Sequence, residues 1–178
     1  MKCSFLLALT FATLGCATAP PRATACASDH ALEVAARNLY RSEERAFAEK
    51  NVDAFVPCTD PDSTYLVSAD GEVHTCAAVR EHARAQFRRV QIGKYAVTNL
   101  HFAVHQLIAH SSANGTVAYD FSFENHIVGA DGKPHLVEIQ GAHEDSWRCS
   151  NGVWELASML EKMPQRVNVD GQPRQPAP

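Results

Sequence analysis

From Ser28 to Lys50 apolar side chains recur at helical spacing: Leu32, Ala36, Leu39, Tyr40, Ala46 and Phe47. No glycine or proline interrupts the run, and Ser28 and Asp29 stand where an N-cap belongs, so the pattern predicts an amphipathic helix. "NVDAFVPC" predicts a short second helix stopped by Pro57. "TCAAVREHARAQFRRV" predicts a third, capped by Thr75, with Arg88 and Arg89 in its last turn and Gly93 just beyond it.

After residue 94 the period changes to two. Asn114-Gly115, Asp131-Gly132 and Asn151-Gly152 suit the positive φ angles of hairpin turns, and predict a four-stranded antiparallel meander over about 95–110, 116–129, 134–149 and 153–161. Asn114-Gly115-Thr116 is also a formal glycosylation sequon, but a hairpin turn accounts for it. A two-residue turn at Asn151-Gly152 pairs Cys149 with Trp154 and Trp147 with Leu156 on one face, and Arg148 with Glu155 on the other. The inner face of the strand before that turn then carries Val137, Ile139, Gly141, His143, Asp145 and Trp147, two of them ionisable. Val117, Tyr119, Phe121 and Phe123 match this face only if the connection at Asp131-Gly132 has odd length, which pairs Phe123 with Ile139, Phe121 with Gly141 and Tyr119 with His143. The polar, proline-rich residues 164–178 read as a disordered tail.

The first sixteen residues change the picture of where the chain works. "MKCSFLLALTFATLGC" has one lysine ahead of an apolar run too short to span a bilayer, which is the build of a secretory leader. Residues 1–27 are assigned to leader and linker, with cleavage between Ala19 and Ser28 after Ala19, Ala25 or Ala27. A second option is a lipobox-like "TLGC", which makes Cys16 a lipid anchor. The expected location is therefore secreted or periplasmic, with the anchored lipoprotein as alternative. Removing Lys2 and Arg22 moves the net charge from −4 to −6, and no basic patch speaks for nucleic acid. In an oxidising compartment the cysteines read first as disulfide partners. Cys58 and Cys76 bracket a hairpin turning at Asp70-Gly71, so they are expected to bridge, worth about 3 kcal/mol by loop entropy. Cys149 is then expected to be unpaired and buried.

The segments "AFAEKNVDAFVPCTDPDSTYLVSADGEVHTCAAVREHARAQF" and "DSWRCSNGVWELASM" give the order helix, small polar turn, helix, strand, glycine, helix, then a closing hairpin. This order resembles the SnoaL-like branch of the nuclear transport factor 2-like superfamily, the cone fold shared with ketosteroid isomerases, over residues 28–163. The resemblance implies an α+β fold of three N-terminal helices on a strongly curved antiparallel sheet, a pocket between them, and a homodimer. The isomerases use a helix tyrosine, a strand aspartate and a second aspartate as base. Here Glu43 takes the tyrosine's place, Val67 the base's, and Asp145 matches the strand aspartate. One of three is retained, which speaks against steroid isomerisation.

The residues single out the same positions. Glu43 lies mid-arc on the apolar face of the first helix, where a carboxylate is costly unless paired, protonated or facing a wet cavity. With Asp145 and His143 opposite, it forms a candidate acid/base cluster, ringed by a candidate ligand pocket of Tyr40, Phe47, Tyr119, Phe121, Phe123, Trp147 and Trp154. The plainer alternative is that both carboxylates satisfy buried partners. His101 and His105 share a strand face, but exposed strand histidines are common and no metal site is assigned. Two functions follow from this sequence: a noncatalytic module that binds a small apolar molecule or pairs with itself, or a cofactor-independent isomerase, cyclase or hydrolase using Glu43 and Asp145. No cofactor is expected.

Overall fold

The computed structural model describes residue 26, residues 28–108 and residues 112–174. Helix α1 spans Asp29–Ala48, with Ser28 in extended conformation and its hydroxyl accepting from the Ala31 N–H at 3.2 Å. It buries Leu32, Ala36, Tyr40, Glu43, Ala46 and Phe47. Helix α2, Val52–Phe55, is a single turn capped by the Asn51 side chain. Strands β1 (Thr64–Val67) and β2 (Val73–Thr75) form the small hairpin, and helix α3 (Cys76–Arg89) follows with Thr75 as its cap.

Four long strands come next: β3 (Val90–Ile108), β4 (Ser112–Val128), β5 (Pro134–Ser150) and β6 (Val153–Glu161). The order across the sheet is β2-β1-β6-β5-β4-β3. The meander is antiparallel, but β1 runs parallel to β6, so the whole sheet is mixed rather than purely antiparallel. Register shifts along β3, between Thr98 and His101 and between Val104 and Gln106, introduce extra residues that bend the strand.

The expected registers of the closing hairpin and of the β4–β5 pair both hold. Cys149 pairs with Trp154 and Trp147 with Leu156 across a turn in which Asn151 and Gly152 have φ of 53° and 80°. Phe123 pairs with Ile139, Phe121 with Gly141 and Tyr119 with His143, and the Gly129 N–H closes the loop onto the Lys133 carbonyl at 2.8 Å.

Four expectations need correction. Asn114-Gly115 is no turn: Gly115 lies inside β4 opposite Trp147, and the β3–β4 connection falls at residues 109–111, outside the described residues. A side chain at Gly115 would meet Leu32 Cδ2 at 2.7 Å and the Ala103 carbonyl at 3.0 Å, so this glycine admits α1 to the sheet. Gly93 likewise does not end α3. It sits in β3, where an added Cβ would come within 2.7 Å of the Phe47 ring.

The segment expected to be disordered beyond Met163 contains β7 (Arg166–Val169) and β8 (Gln172–Arg174). β7 extends β5 beyond the reach of β6, pairing Val137 with Val169 and Ile139 with Val167, while Asp170-Gly171 makes the turn. His135 fastens this turn to the β4–β5 loop, with Nδ1 2.7 Å from Asp170 and Nε2 3.1 Å from Asp131.

Cys149, finally, is not free. Cys58 is joined to Cys76 as expected, and Cys149 is joined to Cys26, with Cα atoms 6.3 and 5.9 Å apart respectively. Cys149 points inward on β5 beside Trp147 and Trp154, and Cys26, just ahead of α1, is buried in the same cluster. Two disulfides of this kind fit an oxidising environment. No described helix is long and apolar enough to cross a membrane. The leader, its cleavage positions up to Ala25 and the lipobox at Cys16 lie outside the described residues.

Candidate functional site

The site begins with α1 crossing the inner face of the sheet. Tyr40 and Glu43 are one turn apart on the buried arc of that helix, and the alternation of β4 and β5 sends Tyr119, His143 and Asp145 toward them. Asp145 is fully buried and receives two phenol hydrogen bonds: Tyr40 Oη donates to Oδ2 at 2.8 Å and Tyr119 Oη to Oδ1 at 3.2 Å. The two phenol rings lie 4.8 Å apart, and Tyr119 Oη also stands 3.3 Å from His143 Nδ1. With the Tyr119 proton committed to Asp145, this oxygen accepts from an Nδ1–H, and Nε2 of His143 keeps its lone pair. Nε2 is buried and has no partner among the described residues.

Burial decides the protonation of this group. It pushes the Asp145 carboxyl up to about 7, against the opposing pull of the two phenols, and pushes the His143 imidazole down to about 4. Glu43 rises well above the ordinary carboxyl range, chiefly by burial and then by the charges of Asp145 and Glu44. Tyr40, Tyr65, Tyr95 and Tyr119 are held as neutral phenols for the same first reason.

Beside this cluster opens a cavity of about 390 Å³. Glu43, Tyr119, Phe121, Phe123 and His143, five of the residues singled out in the sequence, line it. Tyr40, Phe47, Trp147, Trp154 and Asp145 do not. Tyr40 and Asp145 stand behind Tyr119, while Phe47 packs on Phe87 and Phe123, with ring centroids 5.2 and 5.1 Å away. Both tryptophans belong to the core. Asp145 therefore orders the site through Tyr119 and Tyr40 and does not itself border the cavity.

The sequence reading misses the far wall: Phe55, Val56, Tyr65, Leu66, His74, Val79, His82, Tyr95 and Met159. Tyr95 alone carries a usable sequence signal, since it faces Phe123 across the β3–β4 pair at 4.7 Å between ring centroids. Among the described residues no group of three or more histidine, cysteine or acidic side chains is placed to hold a metal ion. His105 instead lies 2.6 Å from the Thr116 hydroxyl.

Helices closing over a bent sheet are shared with known structures. The fold is the nuclear transport factor 2-like cone. The Kfla4162 protein from Kribbella flavida superposes with a TM-score of 0.57 at 15% identity, over 78% of this chain and 95% of that one. A scytalone dehydratase-like protein from Novosphingobium aromaticivorans gives 0.56 at 11% identity over 79% and 87%. Hexachlorocyclohexane dehydrochlorinase LinA type 2 gives 0.56 at 13% identity over 83% and 92%. Compared by sequence, the chain matches no family model and no curated protein. At these identities the likeness establishes the cone fold and nothing about chemistry.

Proposed function

We propose that this cone-fold domain is exported and binds a small, largely apolar molecule in the cavity bounded by α1, α3 and the inner sheet face. The observation that carries the reading is Glu43: a carboxyl 4% exposed, with no hydrogen-bond donor among the described residues, on the wall of an aromatic cavity of about 390 Å³. A buried polar group without a protein partner is stabilised when a ligand supplies one. The volume lies in the range of small-molecule sites. The two disulfides support export.

Titration with 2-phenylethanol, followed by amide chemical shifts, tests it. Shifts confined to Tyr95, Tyr119, His143 and Met159 are the expected result. Shifts around Gln140 and Arg166, which line an open groove on the outer sheet face, or no shifts at all, overturn it.

A second reading, acid/base catalysis without a cofactor, is favoured by one observation. Tyr119 Oη stands within hydrogen-bond distance of both the Asp145 carboxyl, which burial pushes up to about 7, and the His143 imidazole, which burial pushes down to about 4. Two similar folds are named for eliminations, of hydrogen chloride and of water. Deuterium entering the α-carbon of cyclohexanone faster with the wild type than with His143→Ala supports this reading, and equal rates remove it.

Self-association is a further part of the proposal. Among the described residues no helix covers the outer face of the long strands, so a second copy is the expected partner there. Light scattering that gives a monomer mass at high concentration removes the dimer.

A further inference from the structure

We propose that the occupant of the cavity is an organic ammonium ion, a protonated amine on a compact apolar body. This rests on the pocket reading above and narrows it to one chemical class. Among the described residues lining the cavity, Glu43 is the only carboxyl, and neither lysine nor arginine occurs. The other polar groups on the wall are phenols, glutamine amides and histidines, and burial holds His143 neutral.

A carboxyl group alone in such a wall is complementary to a donor that brings its own positive charge. The rings around it point to the same partner. Phe55, Tyr65, Tyr95, Tyr119, Phe121 and Phe123 all border the cavity, and aromatic faces attract a desolvated cation. An anion meets no compensating charge there. A neutral alcohol or ketone gains the apolar contact and one hydrogen bond, but leaves the faces of the rings unused.

The sign of the pH dependence separates the cases. Glu43 is faced by Tyr40 and Glu44 of its own helix, by Tyr65 from β1, Tyr95 from β3, Tyr119 from β4, and Asp145 and His143 from β5. His74 and His82 border the same space. In the empty cavity desolvation favours the protonated form of Glu43, so an ammonium ion that pairs with its carboxylate displaces protons. Affinity for the cation therefore rises with pH, by up to about tenfold per unit, until the free carboxyl is itself ionised. A neutral ligand that accepts from the protonated carboxyl shows the opposite trend.

The experiment compares 2-phenylethylammonium, 2-phenylethanol and phenylacetate, three probes with similar apolar bodies, by calorimetry at about pH 5 and about pH 8, a range in which an alkylammonium keeps its proton. The ammonium probe is expected to bind at least about tenfold more tightly than the alcohol at the higher pH, to weaken at the lower pH, and to release protons on binding. Phenylacetate is expected to bind least. In Glu43→Gln, checked for folding by circular dichroism, the ratio of ammonium to alcohol affinity should fall toward one. The wild-type pH trend stands as the deciding measurement should that variant not fold. An alcohol that binds as tightly as the ammonium probe, a cation affinity that falls as pH rises, or tighter binding of phenylacetate overturns the ammonium assignment and leaves the pocket reading in place. Binding by none of the three overturns both.

Discussion

A carboxyl in the middle of an apolar helix face must ionise against a partner, stay protonated, or open onto a cavity. Glu43 takes the last two routes, and linkage gives the consequence its sign. A carboxyl whose folded pKa lies above its unfolded value supports the fold fully below the unfolded pKa, and that support is lost as pH climbs toward the folded value. Glu43→Gln should therefore stabilise the protein at about pH 7.5 by on the order of 1 kcal/mol relative to its effect at about pH 4. Denaturant melts of both forms at the two pH values check this. A large loss at the higher pH would mean that the ionised carboxylate is paired.

Asp145 makes a different case, because two phenols depend on it. Asp145→Ala removes the acceptor of Tyr40 and Tyr119 together and should cost about 2–5 kcal/mol. Asp145→Asn keeps one acceptor and adds a donor that a phenol oxygen can accept, so its cost should be well below that of alanine. Both acidic residues are legible in the sequence because each breaks an apolar period. Trp147 and Trp154 are misplaced for the converse reason. Alternation tells which face a side chain occupies, but not whether a helix already fills the space above it.

At the scale of elements, the site depends on how α1 meets β3. The helix covers the free edge of this strand with two carboxylates: Asp29 Oδ1 accepts from the Val104 N–H at 3.0 Å and Glu44 Oε1 from the Val97 N–H at 3.2 Å. The spacings match. Fifteen residues of helix rise about 22 Å, and the strand from Val97 to Val104, shortened by the bulge between Thr98 and His101, spans about 20 Å. Edge groups that would otherwise template another chain are thus satisfied from within the domain.

Gly115 sets how closely the same helix approaches. Gly115→Ala should destabilise by about 1–3 kcal/mol, read as a lower denaturant midpoint with unchanged slope, since the added methyl would stand 2.7 Å from Leu32 Cδ2 and 3.0 Å from the Ala103 carbonyl of β3. Asn-Gly is a strong hairpin signal, and nothing local distinguishes a turn glycine from one lying under a helix. The β7–β8 hairpin escapes the sequence reading through an error of the opposite kind: Val167 and Val169 alternate ahead of Asp170-Gly171, but the surrounding prolines and polar residues obscure so short a pattern. The odd-length loop before β5 is legible because a slip of one residue turns every side chain of the strand over.

Across the whole molecule, the two disulfides hold different things. Cys58–Cys76 closes a short hairpin beside the cavity wall, whereas Cys26–Cys149 spans a separation of 123 residues and ties the start of α1 to the end of β5. Peptide mapping without reductant should recover both pairs and no free Cys149. By loop entropy the longer bridge is worth about 5 kcal/mol. Cys26→Ser should therefore lower stability far more than a surface substitution does, with Cys149 becoming reactive to thiol reagents only on unfolding. On the export proposed above, cleavage after Ala27 would discard Cys26, so terminal sequencing of the mature protein should find a start at or before Cys26.

That long bridge also imposes an order in time. A ribosome makes Cys26 early and Cys149 late, and Cys58 and Cys76 emerge while Cys26 still waits. During that interval Cys26 can meet Cys58 and Cys76 but not Cys149. Pairing of Cys58 with Cys76 across the β1–β2 hairpin takes both out of competition and leaves Cys26 for its distant partner. Loss of either hairpin cysteine should thus reach beyond its own bond and scramble the pairing at the opposite end of the molecule.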